Sequence, residues 1–174
     1  MNDFALSIQS AFDLIVHADS ALVRTVLLSL AVSGTACLWG AGFGLLAGAW
    51  LAVAKFRGLR VVLLILNTLL ALPSVVVGLV VYLLLSRSGP LGAWGILFTP
   101  AAMVLAQTIL VLPVIAALTR QVVADGMRDA GDPLRSMGAG PLLAALLVIV
   151  HERWAVVTVL LTAFGRAIAE VGAV

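Results

Sequence analysis

Two charged residues interrupt an apolar run near the end of the chain: Arg166 and Glu170, one helical turn apart in GRAIAEVGAV. A charged side chain at mid-membrane costs about 2.5–3.5 kcal/mol on the insertion scale. Such groups face a bundle interior or a water-filled cavity. The pair is therefore either a mutually neutralising i,i+4 contact or a set of groups that line or brace a route for a hydrophilic solute. The order, Arg before Glu, is the weaker one for stabilising a helix, so helix stabilisation is a poor account of it. An anion would feel Arg166, with its field partly cancelled by Glu170; the pair marks polarity, not substrate identity. Other chemistry is sparse. The single cysteine, Cys37, has no partner for an internal disulfide or a CxxC site, and His17 and His151 are too isolated for a zinc motif. No cluster of His, Cys or paired carboxylates near an interface suggests catalysis.

The elements around that pair must be membrane helices. Of 174 residues, 63% are hydrophobic and 10% charged, with a mean hydropathy of +1.23, against about 25% charged residues in a soluble domain. So few charges cannot cover a water-facing surface of this size, and the helical periodicity excludes a β-barrel. The net charge of +2 makes no case for nucleic acid. Uncharged runs cover residues 25–54, 61–86 and 99–119. A fourth run, 154–174, is broken only by Arg166 and Glu170. The expected fold is an all-α polytopic bundle with four transmembrane helices. At about 1.5 Å per residue the first run exceeds a core of about 30 Å, as one tilted or overlong helix. Its leader is acidic, with Asp3, Asp13 and Asp19, which reads as a true span and not a cleaved signal. Ahead of it, Phe4, Ile8, Phe12, Ile15 and Val16 share one helical face, opposite Asp3, Ser7, Ser10, Asp13 and His17. That pattern predicts an interfacial helix over 1–20, an anchor or strap in contact with lipid, ahead of a transmembrane domain over 21–174. Asp19 or Ser20 then offers an N-cap oxygen to the first span.

Basic residues set the orientation. Lys55, Arg57, Arg60, Arg120, Arg128, Arg135 and Arg153 fall in the loops 55–60 and 120–153, whereas the other side holds Arg24 and Arg87. The first set is cytoplasmic by this rule, which places the amino terminus outside.

Within the spans, Gly40, Gly44 and Gly48 repeat at i+4 and let helices approach closely; packing inside one subunit is favoured over a dimer seam. Pro73 and Pro113 fall mid-span, where each removes a backbone hydrogen bond and kinks its helix, leaving carbonyls for protein or a water-lined path to satisfy. Asn67, Gln107 and Thr108 are explained by hydrogen bonds between helices. In the loop 120–153, Asp132 and Pro133 form an N-cap and N1 combination, Gly138 can end a short helix, and Gly140-Pro141 opens another. The stretch 141–150 is apolar but too short to cross, and reads as buried or interfacial. The result is a helix–glycine–helix elbow, which serves either as a connection or as a docking element for a partner.

That elbow resembles a known signature. Asp132, Pro133, Leu134, three residues and Gly138 resemble the E-A-A-x3-G motif of ABC importer permeases, with both alanines replaced. The motif's I-x-L-P tail falls on Val148, Ile149, Val150 and His151, without the proline. NTLLALPSVVVGLVVYLLLSRSGPLG at 67–92, FTPAAMVLAQTILVLPVIAAL at 98–118 and FGRAIAEVGAV at 164–174 resemble the second, third and fourth spans of tungstate-type permeases. The resemblance runs from about residue 20 onward and is to the permease subunit of a tungstate, or closely related molybdate, ABC importer. It implies a homodimer around one pathway, with an ATPase dimer docked at the elbow through Asp129, Ala130, Asp132, Pro133, Leu134 and Gly138. Pro73, Pro113, Arg166 and Glu170 become pathway or gate candidates. It further implies an extracytoplasmic oxyanion-binding protein, alternating access in the inner membrane, and no catalysis or cofactor in this chain. The fingerprint G-x4-G-K-[ST] is absent, so ATP and its magnesium belong to the partner. Members of this family usually continue past the Gly-Ala-Val string with an external loop and another span. A fragment, or a form lacking the last helix, is therefore expected.

Two other classes compete with this reading. An oligomeric channel or secondary carrier would use Arg166 and Glu170 as gate or coupling pair and need no ATPase. A membrane enzyme or assembly factor lacks the residues for catalysis. Within the leading class, sulfate permeases are similar, and the choice among oxyanions belongs mainly to the receptor.

Overall fold

The structure, a computed structural model, describes residues 20–170. Except for Ser20, the expected interfacial helix lies outside the described residues, as do the last four residues of the fourth run. All regular structure among the described residues is helical: α1 (Ser20–Val53), α2 (Leu59–Leu70), α3 (Ser74–Leu85), a short 3₁₀ turn (Gly92–Trp94), α4 (Pro100–Ser136), α5 (Pro141–His151) and α6 (Arg153–Glu170). Two compact units divide the chain, Met1–Ala31 and Val32–Val174. In the first, the opening turns of α1 are helical, and the Thr25 and Ser29 hydroxyls donate to the carbonyls of Ala21 and Thr25 at 2.9 Å each.

The second unit is organised on α4. This helix begins where Thr99 is extended and Pro100 supplies a preset φ at the first helical position. Every buried cluster of the unit has members on it. Ala106 and Leu110 meet Val77, Val81 and Leu85 of α3; Val111 and Ile115 meet Val159, Ala163 and Ala167 of α6. Ala116 meets Leu51 of α1 and Leu66 of α2, and Val123 meets Ala49 of α1 and Ala145 of α5. The glycine stripe of α1 packs on the same helix. A Cβ on Gly48 would stand 2.6 Å from the Ala116 carbonyl oxygen and 2.7 Å from Thr119 Cβ, and Gly40 and Gly44 abut Val111 and Ile115. The stripe is thus used inside the chain, as favoured from the sequence.

Helices α1 and α4 are long and apolar enough to cross a membrane; there are four such spans if each bent pair counts as one. The second apolar run is not one kinked helix but two helices of 12 residues, α2 and α3, bent by 102°. The break falls where the sequence puts Pro73. Helices α5 and α6 form the other pair, bent by 80°.

Two expectations are corrected. Residues 120–136 are not loop, because α4 continues through them to Ser136. Asp132 and Pro133 therefore open no new helix, and Pro133 sits in the last turn of an old one. The reason is tertiary. Thr119, Val123 and Gly131 are buried at helical spacing, and Val123 packs on α1 and α5, which carries the helix past a proline that removes only one bond near its end. Likewise α4 runs through Pro113 without a break, with that proline buried.

Candidate functional site

The break between α2 and α3 leaves a backbone acceptor that the chain fills from far away. At the end of α2 the Ala71 N–H donates to the Thr68 carbonyl at 3.0 Å and the Leu72 N–H to the Leu69 carbonyl at 3.3 Å. The next donor in that series would come from residue 73, and proline has no N–H. The Leu70 carbonyl instead accepts from Arg166 Nη1 at 3.0 Å, across 96 positions of sequence. Arg166 Nε donates to Glu170 Oε1 at 3.3 Å, and the two side chains are 27% and 23% exposed. A cation at the C-terminal end of α2 also complements that helix's dipole, and Glu170 neutralises the cation locally.

At the next residue of α6, the Ala167 carbonyl accepts from Gln107 Nε2 at 3.4 Å; Gln107 is fully buried on α4. This is an interhelical bond of the kind expected for Gln107, whereas Thr108 bonds back to the Val104 carbonyl of its own helix. Pro113 lines an apolar cleft of about 260 Å³ with Leu66, Leu69, Leu72 and Val77. Those residues flank the break on both sides. The structure thus places Pro73, Arg166 and Glu170 at one joint, with Pro113 facing the same broken pair.

The elbow is a second, separate arrangement. Helix α4 ends in a Schellman motif: the Gly138 N–H donates to the Arg135 carbonyl at 2.9 Å and the Ala139 N–H to the Leu134 carbonyl at 3.0 Å. Gly138 has φ +85°, a left-handed conformation that glycine adopts without penalty. Gly140 is extended and Pro141 opens α5, as the sequence predicts. Asp129, Asp132, Pro133 and Gly138 are exposed; Ala130 and Leu134 are half-buried. Asp132 pairs with Arg135 at 3.6 Å. Beside the turn lies a cleft of about 640 Å³ lined by Ala54, Lys55, Met127, Arg135 and Pro141. The loop carrying Lys55 and the elbow thus share one end of the unit.

Sequence reasoning missed two features. Met137, at the tip of the elbow, is 82% exposed, and its signal was an apolar residue directly before the glycine that ends a helix. The Leu70 carbonyl was invisible because it is backbone; only the proline three residues on pointed to it. Among the described residues no group of His, Cys, Asp and Glu could hold a metal ion.

No protein-family model matches the chain. It is 45% identical over 153 residues to a probable anion ABC transporter permease protein of Haloferax volcanii, covering 88% of this chain and 66% of that protein. It is 36% identical over 174 residues to the tungstate uptake system permease protein TupB of Peptoclostridium acidaminophilum, covering 100% of this chain and 76% of that protein. TupB of Campylobacter jejuni is 34% identical over 164 residues, covering 94% and 69%.

Proposed function

The chain belongs to the family of anion and tungstate permease subunits of ABC transporters, and from that premise we propose that it carries tungstate into the cell by alternating access. The observation that carries this reading is the similarity to a tungstate uptake permease along all 174 residues. In this reading a second copy of the chain completes the pathway, and an extracytoplasmic protein delivers the oxyanion to it. ATP and magnesium bind and react in a cytoplasmic ATPase dimer, not in this chain. The excess of basic residues in 55–60 and 120–153 supports an amino terminus on the outer face.

The ATPase docks at the elbow. Its support is chemical: a rigid Schellman turn presents an exposed apolar side chain, Met137, beside exposed Asp129 and Asp132. An apolar anchor flanked by charges is how a small interface gains both affinity and register.

The test uses the full-length protein in proteoliposomes with its ATPase and binding protein. Tungstate accumulation that needs ATP is expected. Uptake that needs no ATPase and follows a proton gradient would favour a carrier instead, and preference for molybdate would reassign the anion. Met137→Glu and Gly138→Trp should each weaken co-purification with the ATPase by roughly tenfold, the factor expected for losing one interface anchor. Unchanged association of both variants would remove the elbow from the docking site.

A further inference from the structure

We propose that Arg166 is a positioning residue that sets the bend between α2 and α3 by holding the Leu70 carbonyl, and that it does not coordinate the transported anion. The proposal rests on the reading of the chain as an ATP-driven oxyanion permease. It assigns the charged pair of α6 a role that its charge alone does not suggest.

The geometry carries the argument. Pro73 leaves the Leu70 carbonyl without the N–H that residue 73 would otherwise supply, and a bare carbonyl within a bilayer is unfavourable. Arg166 Nη1 occupies it at 3.0 Å while Nε is held by Glu170 at 3.3 Å. Two edges of a rigid, planar fork are thereby fixed. The positive charge is paired at contact distance with Glu170, so an approaching oxyanion meets a weakened field there. Two of the five guanidinium N–H donors are committed to protein acceptors, among them Nε, which belongs to one of the edges arginine uses for bidentate contacts. In this way Arg166 ties α6 to the end of α2. Any sliding or rotation of α6 must carry the break with it or rupture a charge-assisted hydrogen bond. The joint thus couples the α5–α6 pair, which begins at the elbow, to the other bent pair.

The full-length permease with its ATPase and binding protein provides the test. Arg166→Gln should lower the maximal rate of ATP-driven tungstate uptake by roughly tenfold or more, the factor of one charge-assisted hydrogen bond. KM should stay within about twofold, since no substrate contact is lost. Adding Pro73→Ala to Arg166→Gln should return part of the rate, because residue 73 regains an N–H. A tenfold rise in KM at unchanged maximal rate would instead make Arg166 an anion ligand and overturn the proposal.

A second measurement is independent of transport. In a Cys37→Ser background, Ala71→Cys places a thiol at the break, at a position the rest of the chain leaves uncovered and a small membrane-permeant maleimide can reach. Arg166→Gln should change its rate of maleimide labelling in the purified permease by about fivefold or more, as local opening is released. An unchanged rate would overturn the clamp. Should the wild type fail to move tungstate with ATP, the transport reading falls, and the labelling rate still decides the role of Arg166.

Discussion

Helices α2 and α4 both stop short of a sharp turn, and they close their last carbonyls in opposite ways. At the end of α4 the closure is local: Gly138 turns left-handed, and its N–H and that of Ala139 return to Arg135 and Leu134. At the end of α2 the closure is remote: Pro73 withholds an N–H and Arg166, 96 positions away, donates in its place. The difference follows from surroundings. The elbow is exposed, and water can serve whatever the turn leaves open. The joint lies among apolar helices, where an unserved carbonyl must find protein. A local closure survives motion of the rest of the molecule. A remote one makes two helices answer to each other, which suits a joint between moving parts.

The sharpest way to break that contrast is to remove the remote donor. Arg166→Leu leaves the Leu70 carbonyl unserved and the Glu170 carboxylate unpaired. It should lower the unfolding free energy by about 3 kcal/mol, the low end for breaking a buried pair, since both side chains keep some exposure. Arg166→Leu with Glu170→Leu should recover part of this loss, leaving the roughly 1–3 kcal/mol of an unsatisfied carbonyl. Thermal unfolding in detergent micelles reads both. Equal losses in the single and double variants would show that the pair's charge balance contributes nothing.

The local closure should yield less. Gly138→Val forces a β-branched side chain into φ +85°, at a cost of about 1–2 kcal/mol. The same unfolding measurement should give a smaller shift than Arg166→Leu, and hydrogen exchange should quicken at the end of α4 before it does in α6. A larger shift than that of Arg166→Leu would reverse the ranking of the two closures.

The two closures also differ in what the sequence discloses. Gly138, Gly140 and Pro141 act on their immediate neighbours, so their roles are legible from residue type and spacing. Pro73 discloses a break for the same reason, and Arg166 and Glu170 disclose polarity by standing in an apolar run. That Arg166 serves the Leu70 carbonyl is not legible, because it depends on how α6 lies against α2. Pro133 misleads for a related reason: beside Asp132 it has the local form of a helix start, yet packing of Val123 on α1 and α5 carries α4 through it. The division into apolar runs is readable from charge alone, but the 102° angle of the break inside 61–86 and the 80° bend between α5 and α6 are not.

The smallest expected effect lies at the elbow's surface. Asp132 and Arg135 stand 3.6 Å apart with side chains 95% and 58% exposed. At such exposure water and salt screen the pair, which contributes about 0–1 kcal/mol at most. Asp132→Asn should therefore leave the unfolding midpoint almost unmoved, unlike either closure. Its effect belongs to docking: a charge at the rim of an interface governs encounter more than affinity. Association of the ATPase with Asp132→Asn should slow at low salt and match the wild type at high salt, where a Debye length of about 3 Å at 1 M leaves little to screen. Surface-capture kinetics at the two ionic strengths decide this. An effect that persists at high salt would mean that Asp132 makes a desolvated contact at the centre of the docking site and not a rim contact around Met137.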